Sequence, residues 1–95
     1  MAIEVTTFGE FGGKRVDQFR LTSDTGVVVD IIGYGVAVRD WKVPVEGAPR
    51  TVVLGFDTLE AYLAHSPHFG ALAGRVANRI KDACFELDGV TYRLA

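Results

Sequence analysis

The 95-residue chain carries ten Lys and Arg against twelve Asp and Glu, a formal net charge of −2. This near balance disfavours a nucleic-acid surface or a polybasic membrane anchor, so we expect neither nucleic acid nor membrane as a partner. Hydrophobic residues make up 48% of the chain and charged residues 23%, which is typical of a globular protein rather than a disordered one. The single cysteine, Cys84, excludes an internal disulfide framework, and with only two histidines we expect no metal site.

Length and terminal sequence suggest where and how the chain works. No apolar run approaches the roughly 20 residues of a membrane span. The N-terminus lacks a basic region followed by an apolar stretch, so we expect no secretory signal and a cytoplasmic location. A chain this short buries only about 60–70% of its unfolded surface. We therefore expect some of its apolar residues to need a partner surface, through self-association or pairing with another chain.

The first half of the chain predicts short strands separated by turns. Glycines near the N-terminus predict a turn, and the β-branched segment 27–32 predicts a strand buried on both faces. Segment 36–43 predicts the next strand, in which simple alternation places Trp41 on the same face as Ala37 and Arg39. Residues 44–49 are expected to form a turn-rich connection, and residues 51–54 another short strand.

A short helix is predicted near residues 57–64. Asp57 is the candidate N-cap, and Glu60 stands three residues further on, close to the spacing of a capping box. Pro67 is expected to end this segment.

The strongest local signal is the pair Asp88-Gly89, which is typical of a two-residue type I′ hairpin turn. Folding there places Leu87 opposite Val90 and Phe85 opposite Tyr92. Together with the earlier strands, this hairpin predicts an all-β fold with one short helix.

Several segments stand in an order that resembles one known family, the aldose 1-epimerases or galactose mutarotases. The resemblance covers most of the chain and is closest from residue 51 onward. The segments are Leu54-Gly55-Phe56-Asp57, Phe69-Gly70-Ala71, Gly74-Arg75-Val76-Ala77-Asn78-Arg79-Ile80, and the pattern Phe-x-Leu-Asp-Gly-x-x-Tyr-x-Leu from Phe85 to Leu94.

The resemblance implies a galactose mutarotase-like β-sandwich, with residues 1–95 as the N-terminal portion of a single, incomplete domain. It implies a hexose-metabolising isomerase that interconverts the α and β anomers of free sugars such as galactose or glucose. Ring opening needs one group to take the anomeric hydroxyl proton and another to protonate the ring oxygen, so no cofactor is required. In the family a His is the acid and a Glu the base, and both follow the Asp-Gly hairpin, so this chain alone is expected to be inactive.

The resemblance assigns substrate binding to Asn78 and Arg79 and assigns no catalytic residue within the chain. An amide and a guanidinium both suit a ligand rich in hydroxyl groups. Adjacent residues on a regular strand face opposite sides, so both reach one sugar only where the backbone bends. In the alternative interpretation, Arg79 pairs with Asp82 or Asp57 and Asn78 satisfies a turn.

The other candidate residues have simpler structural interpretations. Arg75 is expected to orient its loop, and His65 and His68 do not match the family's acid, so we interpret them as loop residues. Trp41, Tyr62 and Tyr92 present flat faces that suit a sugar, but we interpret each of them as a core-packing residue.

Two further hypotheses share the same fold. In the first, the chain is a non-catalytic sugar-binding module that keeps Asn78 and Arg79. In the second, it is an inactive truncated fragment that self-associates.

Overall fold

The computed structural model describes residues 1–65, 68–74 and 76–95, and about half of the chain is β-strand. Five strands form one antiparallel sheet in chain order, and a separate two-stranded hairpin follows near the C-terminus. The elements are β1 (Ala2–Phe11), β2 (Lys14–Thr22), β3 (Val28–Ile32), β4 (Ala37–Val45), β5 (Ala48–Thr51), α1 (Leu59–His65), a 3-10 turn (Lys81–Ala83), β6 (Cys84–Leu87) and β7 (Val90–Arg93). The all-β prediction with one short helix is confirmed.

The first two strands form a long hairpin whose first strand the sequence patterns did not predict. Gly12 and Gly13 make the turn, both with positive φ, as their glycine identity allows. Gly9, the first of the glycines near the N-terminus that predict a turn, lies instead inside β1 and pairs with Val16. A bulge at Phe8 separates the pairs of Thr7 and Gly9, so β1 bends at this point.

The connection predicted over residues 44–49 is wrong, because β4 runs on to Val45 and returns directly as β5. Glu46 and Gly47 form a two-residue turn with φ values of 51° and 80°. Two positive φ angles match the right-handed twist of the flanking strands. The strand predicted at residues 51–54 is also wrong, since β5 ends at Thr51; Val52 still donates one backbone hydrogen bond, of 2.9 Å, to the Trp41 carbonyl.

A second bulge changes which side chains share a face of the sheet. Ile31 pairs with Val38 but Asp30 pairs with Asp40, so Arg39 is the extra residue. The prediction that Trp41 lies with Ala37 and Arg39 is therefore wrong, because the inserted residue shifts the alternation. Trp41 lies instead on the face of Val38.

Helix α1 covers one face of the sheet, which we call the helix-covered face. Leu59 lies directly over Gly9, where any Cβ would overlap the leucine side chain. Tyr62 packs edge-on against Phe8 and Phe56, with ring centroids 6.3 Å and 5.1 Å apart. Leu59, Tyr62 and Ile32 are buried here, so this layer holds the hydrophobic core.

The helix begins at Leu59 rather than near residue 57, and its cap differs. The Thr58 hydroxyl accepts a 3.3 Å hydrogen bond from the Ala61 amide, so Thr58 rather than Asp57 caps the first turn. Asp57 is fully exposed and lies 3.7 Å from Arg39. The predicted stop at Pro67 lies outside the described residues.

The C-terminal hairpin is confirmed with the predicted register. Leu87 pairs with Val90 and Phe85 with Tyr92, whose rings stack with centroids 5.2 Å apart. Asp88 and Gly89 have φ values of 50° and 77°, the geometry that a type I′ turn requires.

Candidate functional site

Asn78 and Arg79, the predicted substrate-binding residues, both line one open cavity of about 330 Å³ beside the C-terminal hairpin. Apolar side chains of the loop and of the chain's last residues form the rest of its wall. The described residues that line it are Val76, Asn78, Arg79, Ile80, Ala83, Leu94 and Ala95. The cavity therefore offers an amide and a guanidinium against an apolar background, an arrangement suited to a neutral polar ligand.

A backbone bend allows these two neighbours to share the cavity. Asn78 lies in a bend with a φ of 71°, in the left-handed region, outside any regular strand. Asparagine tolerates this region better than most residues because its short amide bonds locally. The bend removes the obstacle that adjacent strand residues face opposite sides.

Backbone hydrogen bonds connect the loop that carries Asn78 and Arg79 to the C-terminal hairpin. The Leu94 amide donates a 2.7 Å hydrogen bond to the Ala83 carbonyl, and the Ala83 amide donates a 3.0 Å bond to the Ile80 carbonyl. Asp82 and Ala83 both have positive φ, so the chain turns sharply before β6 begins. These bonds hold one wall of the cavity at a fixed distance from the hairpin.

The Asn78 and Arg79 side chains are exposed. Within residues 1–65, 68–74 and 76–95, Arg79 forms no ion pair with Asp82 or Asp57, the partners considered in the alternative interpretation. Asp57 lies instead near Arg39. Arg79 therefore lines the cavity without an ion pair to either of these two carboxylates. Arg75, expected to orient its loop, lies outside the described residues.

His68 comes closer to this region than the sequence suggested. It lines a depression of about 460 Å³ that also includes Val76 and Asn78. It also lines a third cavity, of about 340 Å³, with Tyr34, Tyr62 and Phe69. His68 has a φ of 59°, an unusual backbone for a non-glycine residue. Ten residues of sequence separate it from Asn78, and no motif signalled the proximity.

The remaining candidates lie away from the Asn78 and Arg79 cavity. His65 ends α1, and its ring lies 5.6 Å from that of Phe56. Tyr62 is buried in the core, as core packing predicts, whereas Tyr92 stacks on Phe85 but is 45% exposed. Trp41 is 42% exposed on the face of the sheet opposite α1.

The strongest electrostatic feature is a buried network on the helix-covered face. Asp30 is 1% exposed and accepts hydrogen bonds of 2.8 and 2.9 Å from Arg20 and one of 3.1 Å from Arg39. The hydrogen bonds from Arg20 hold the pKa of Asp30 below its usual value, although burial opposes the shift. Arg39 also donates a hydrogen bond of 2.6 Å to the side-chain oxygen of Gln18, so the network joins β2, β3 and β4.

Neither a metal site nor a membrane helix is found in the described part of the chain. No three His, Cys, Asp or Glu side chains there are grouped so as to hold a metal ion. No helix there is long and apolar enough to cross a membrane.

Comparison with known proteins identifies the family. The family model described as aldose 1-epimerase matches residues 17–95, which is most of the chain. The chain belongs to the aldose 1-epimerase family. It is 44% identical to galactose mutarotase from Bos taurus over 98 residues, and 47% identical to galactose mutarotase from Homo sapiens over 91 residues.

These matches cover nearly all of this chain but only part of each relative. They include 100% and 93% of the chain, and 28% and 26% of the bovine and human proteins. The chain therefore spans just over a quarter of the length of the curated relatives it matches.

The fold agrees with a solved member of this class. A crystal structure of galactose 1-epimerase from Lactobacillus acidophilus superposes with a TM-score of 0.72, covering 99% of this chain and 27% of that one. Sequence identity is 18%, so this likeness establishes the fold alone. The predicted galactose mutarotase-like fold is confirmed.

Proposed function

We propose that the chain supplies sugar contacts for aldose 1-epimerase chemistry, the interconversion of the α and β anomers of free hexoses such as galactose or glucose. The observation that carries this proposal is that Asn78 and Arg79 line one cavity, inside the segment matched by the family model. The Asn78 amide both donates and accepts hydrogen bonds, and Arg79 presents a rigid fork of donors. Together they suit the vicinal hydroxyl groups of a hexose. We further propose that residues 1–95 are the N-terminal portion of a single domain.

We place the acid and the base of the reaction outside this cavity wall. Opening the sugar ring requires one group to remove the anomeric hydroxyl proton and a second to protonate the ring oxygen. Among the described residues that line the cavity, no side chain is an imidazole or a carboxylic acid. The chain's part is then to bind and orient the sugar, and by itself it should not accelerate mutarotation.

A galactose titration followed by NMR or calorimetry tests the sugar contacts. Asn78→Ala and Arg79→Ala should each weaken binding about tenfold, which corresponds to losing one or two hydrogen bonds of about 1 kcal/mol. Arg93→Ala is the matched control, because Arg93 is exposed on β7 and does not line the cavity. Unchanged affinity in both site variants, or an equal loss in the control, would remove the pair from the site.

A non-catalytic sugar-binding module is the second candidate, and the same cavity favours it because none of the described side chains in its wall is an imidazole or a carboxylic acid. Polarimetry distinguishes a part of an epimerase from a non-catalytic sugar-binding module. Restoration of mutarotation when the chain is combined with a separately produced segment that carries a His and a Glu would support the epimerase. Binding without such restoration would support the module. A rate for the 95-residue chain near that of a full-length relative would contradict the placement of the acid and base.

Two further expectations belong to this proposal. Exposed apolar residues on the sheet support self-association or pairing with another chain. A cytoplasmic location and a part in hexose metabolism remain predictions, which cell fractionation and growth on galactose would test.

A further inference from the structure

Two segments that follow β5 lie against β4 at its bulge, and we call residues 55–57 the first bulge segment and residues 69–72 the second. Gly55 lies against Arg39, where any Cβ would overlap the Arg39 carbonyl oxygen. Gly70 lies against Val38, where any Cβ would overlap the Val38 carbonyl oxygen. The Val38 amide also donates a 2.9 Å hydrogen bond to the Gly70 carbonyl. Glycine therefore lets each segment approach the β4 backbone this closely.

Arg39 connects the sheet to the first bulge segment. It is the extra residue of the bulge, without a partner on β3. Its side chain is 14% exposed and donates hydrogen bonds of 2.6 Å to Gln18 on β2 and 3.1 Å to Asp30 on β3. The remaining terminal nitrogen lies 3.5 Å from the Phe56 carbonyl oxygen and 3.7 Å from the Asp57 carboxylate. One planar guanidinium thus contacts two strands and the first bulge segment at the same time.

An aromatic contact links the two bulge segments. The rings of Phe56 and Phe69 stack with their centroids 5.7 Å apart and their planes at 24°. The Phe56 amide also donates a 3.2 Å hydrogen bond to the hydroxyl of Tyr62, whose side chain is buried beneath α1. Since Phe69 is the neighbour of Gly70, a displacement of Phe56 would act on the second bulge segment.

The second bulge segment borders the proposed sugar site. Ala71 and Leu72 line the depression of about 460 Å³ that also includes Asn78. Asn78 in turn lines the cavity of about 330 Å³ that it shares with Arg79. The position of the second bulge segment on the sheet therefore sets the wall beside Asn78.

We propose that Arg39 is a positioning residue for the sugar site. Arg39 does not itself line the cavity of Asn78 and Arg79. It acts through Phe56 and the second bulge segment, and so holds the wall beside Asn78 in place for a bound hexose. The inference rests on the proposed function, which names the sugar site, and it uses only contacts made inside the chain.

Arg20 provides the control for the alternative that Arg39 only stabilises the sheet. Arg20 donates hydrogen bonds of 2.8 and 2.9 Å to the same Asp30 carboxylate, and in the described part of the chain its side-chain hydrogen bonds go to Asp30 alone. Lysine at either position keeps the positive charge beside Asp30. A single ammonium at position 39 cannot contact Asp30 and the Phe56 carbonyl together, as the fork of the guanidinium does.

Galactose titrations of the full chain by NMR test the proposal. Arg39→Lys should weaken binding about tenfold, the equivalent of about one lost hydrogen bond, whereas Arg20→Lys should stay within about twofold of the wild type. Gly70→Ala leaves Arg39 in place and displaces the second bulge segment directly, so it should also weaken binding. The double variant of Arg39→Lys and Gly70→Ala should bind as weakly as Gly70→Ala, because both changes act through one segment. Unchanged affinity in Arg39→Lys, an equal loss in Arg20→Lys, or additive losses in the double variant would overturn the proposal.

Hydrogen exchange of the ligand-free chain gives a second measurement that does not require galactose. The Val38 amide should exchange about tenfold faster in Arg39→Lys and at the wild-type rate in Arg20→Lys, because its acceptor is the Gly70 carbonyl. The Gly33 amide is the internal reference, since it donates a 2.9 Å hydrogen bond to the Asp17 carbonyl on β2. Equal acceleration of both amides in Arg39→Lys would show a loss of stability alone and overturn the proposal. Faster Val38 exchange in a chain whose wild type binds no galactose would overturn the proposed function and keep Arg39 as the residue that positions the second bulge segment.

Discussion

Replacing Asp30 with alanine removes the carboxylate that joins three strands on the helix-covered face. Asp30 is 1% exposed, and three hydrogen bonds of 2.8–3.1 Å reach it from Arg20 and Arg39. Removing one partner of a buried ion pair costs about 3–5 kcal/mol, because the other charge is left without compensation. The Arg20 side chain is 41% exposed and can rehydrate, so we expect the lower end, about 3 kcal/mol.

Urea unfolding measures this loss. Trp41, the only tryptophan, reports on the sheet by fluorescence, and circular dichroism follows the strands independently. With a slope of about 1 kcal/mol per molar urea for a small domain, the midpoint should fall by about 3 M. Protein concentration is held constant, because binding between copies of a chain makes apparent stability depend on concentration.

Asp24→Ala is the matched control, because Asp24 is 95% exposed and forms an exposed ion pair with the N-terminal amine at 3.4 Å. We expect a change below about 0.5 kcal/mol. Similar losses in the two variants, or a loss below about 1 kcal/mol for Asp30→Ala, would refute the view that this network holds the strands together.

Three further predictions concern pH and two glycines. The pKa of Asp30 is lower in the folded protein than in the unfolded chain, where it is about 3.9. Its contribution to the free energy of unfolding is therefore fully present above about pH 3.9 and is lost as the pH falls through the folded pKa. Asp30→Asn should remove this loss and so flatten the acid side of a curve of stability against pH. Gly55→Ala should cost about 1–3 kcal/mol in urea unfolding, since its Cβ would overlap the Arg39 carbonyl, whereas Gly74→Ala meets open space and should cost less than about 1 kcal/mol. Gly89→Ala should cost about 1 kcal/mol by the same assay because residue 89 has a φ of 77°, and an unchanged midpoint would contradict the type I′ turn.

Local signals predicted the elements that depend on local chemistry. Asp88-Gly89 fixed the hairpin register because few other residue pairs adopt two positive φ angles. The β4–β5 hairpin was missed because its turn residues, Glu46 and Gly47, are flanked by Pro44 and Pro49, which suggested an irregular connection.

Bulges limited what alternation could predict. The extra residue Arg39 places Trp41 on the sheet face opposite α1, and nothing in the local sequence marks the insertion. Arg39 is held there by contacts distant in sequence, with Asp30 and Gln18, so the bulge depends on tertiary structure.

The candidate site was likewise predictable only in part from the sequence. A family motif predicted Asn78 and Arg79 as site residues. The motif did not predict the bend that brings both to one cavity, which depends on the positive φ of Asn78 and on the hydrogen bond from the Leu94 amide to the Ala83 carbonyl. The proximity of His68 required the fold, because ten residues separate it from Asn78.

Chemical-shift mapping of the full chain with galactose tests the central claim most directly, because three neighbouring concavities compete as the binding site. The account predicts that amide shifts concentrate at Asn78, Arg79, Ala83 and Leu94, and that in Arg79→Ala they saturate only at about tenfold higher galactose concentration. Shifts centred instead on Tyr34 and the other residues of the aromatic cavity, or no saturable shifts in the folded wild type, would contradict it.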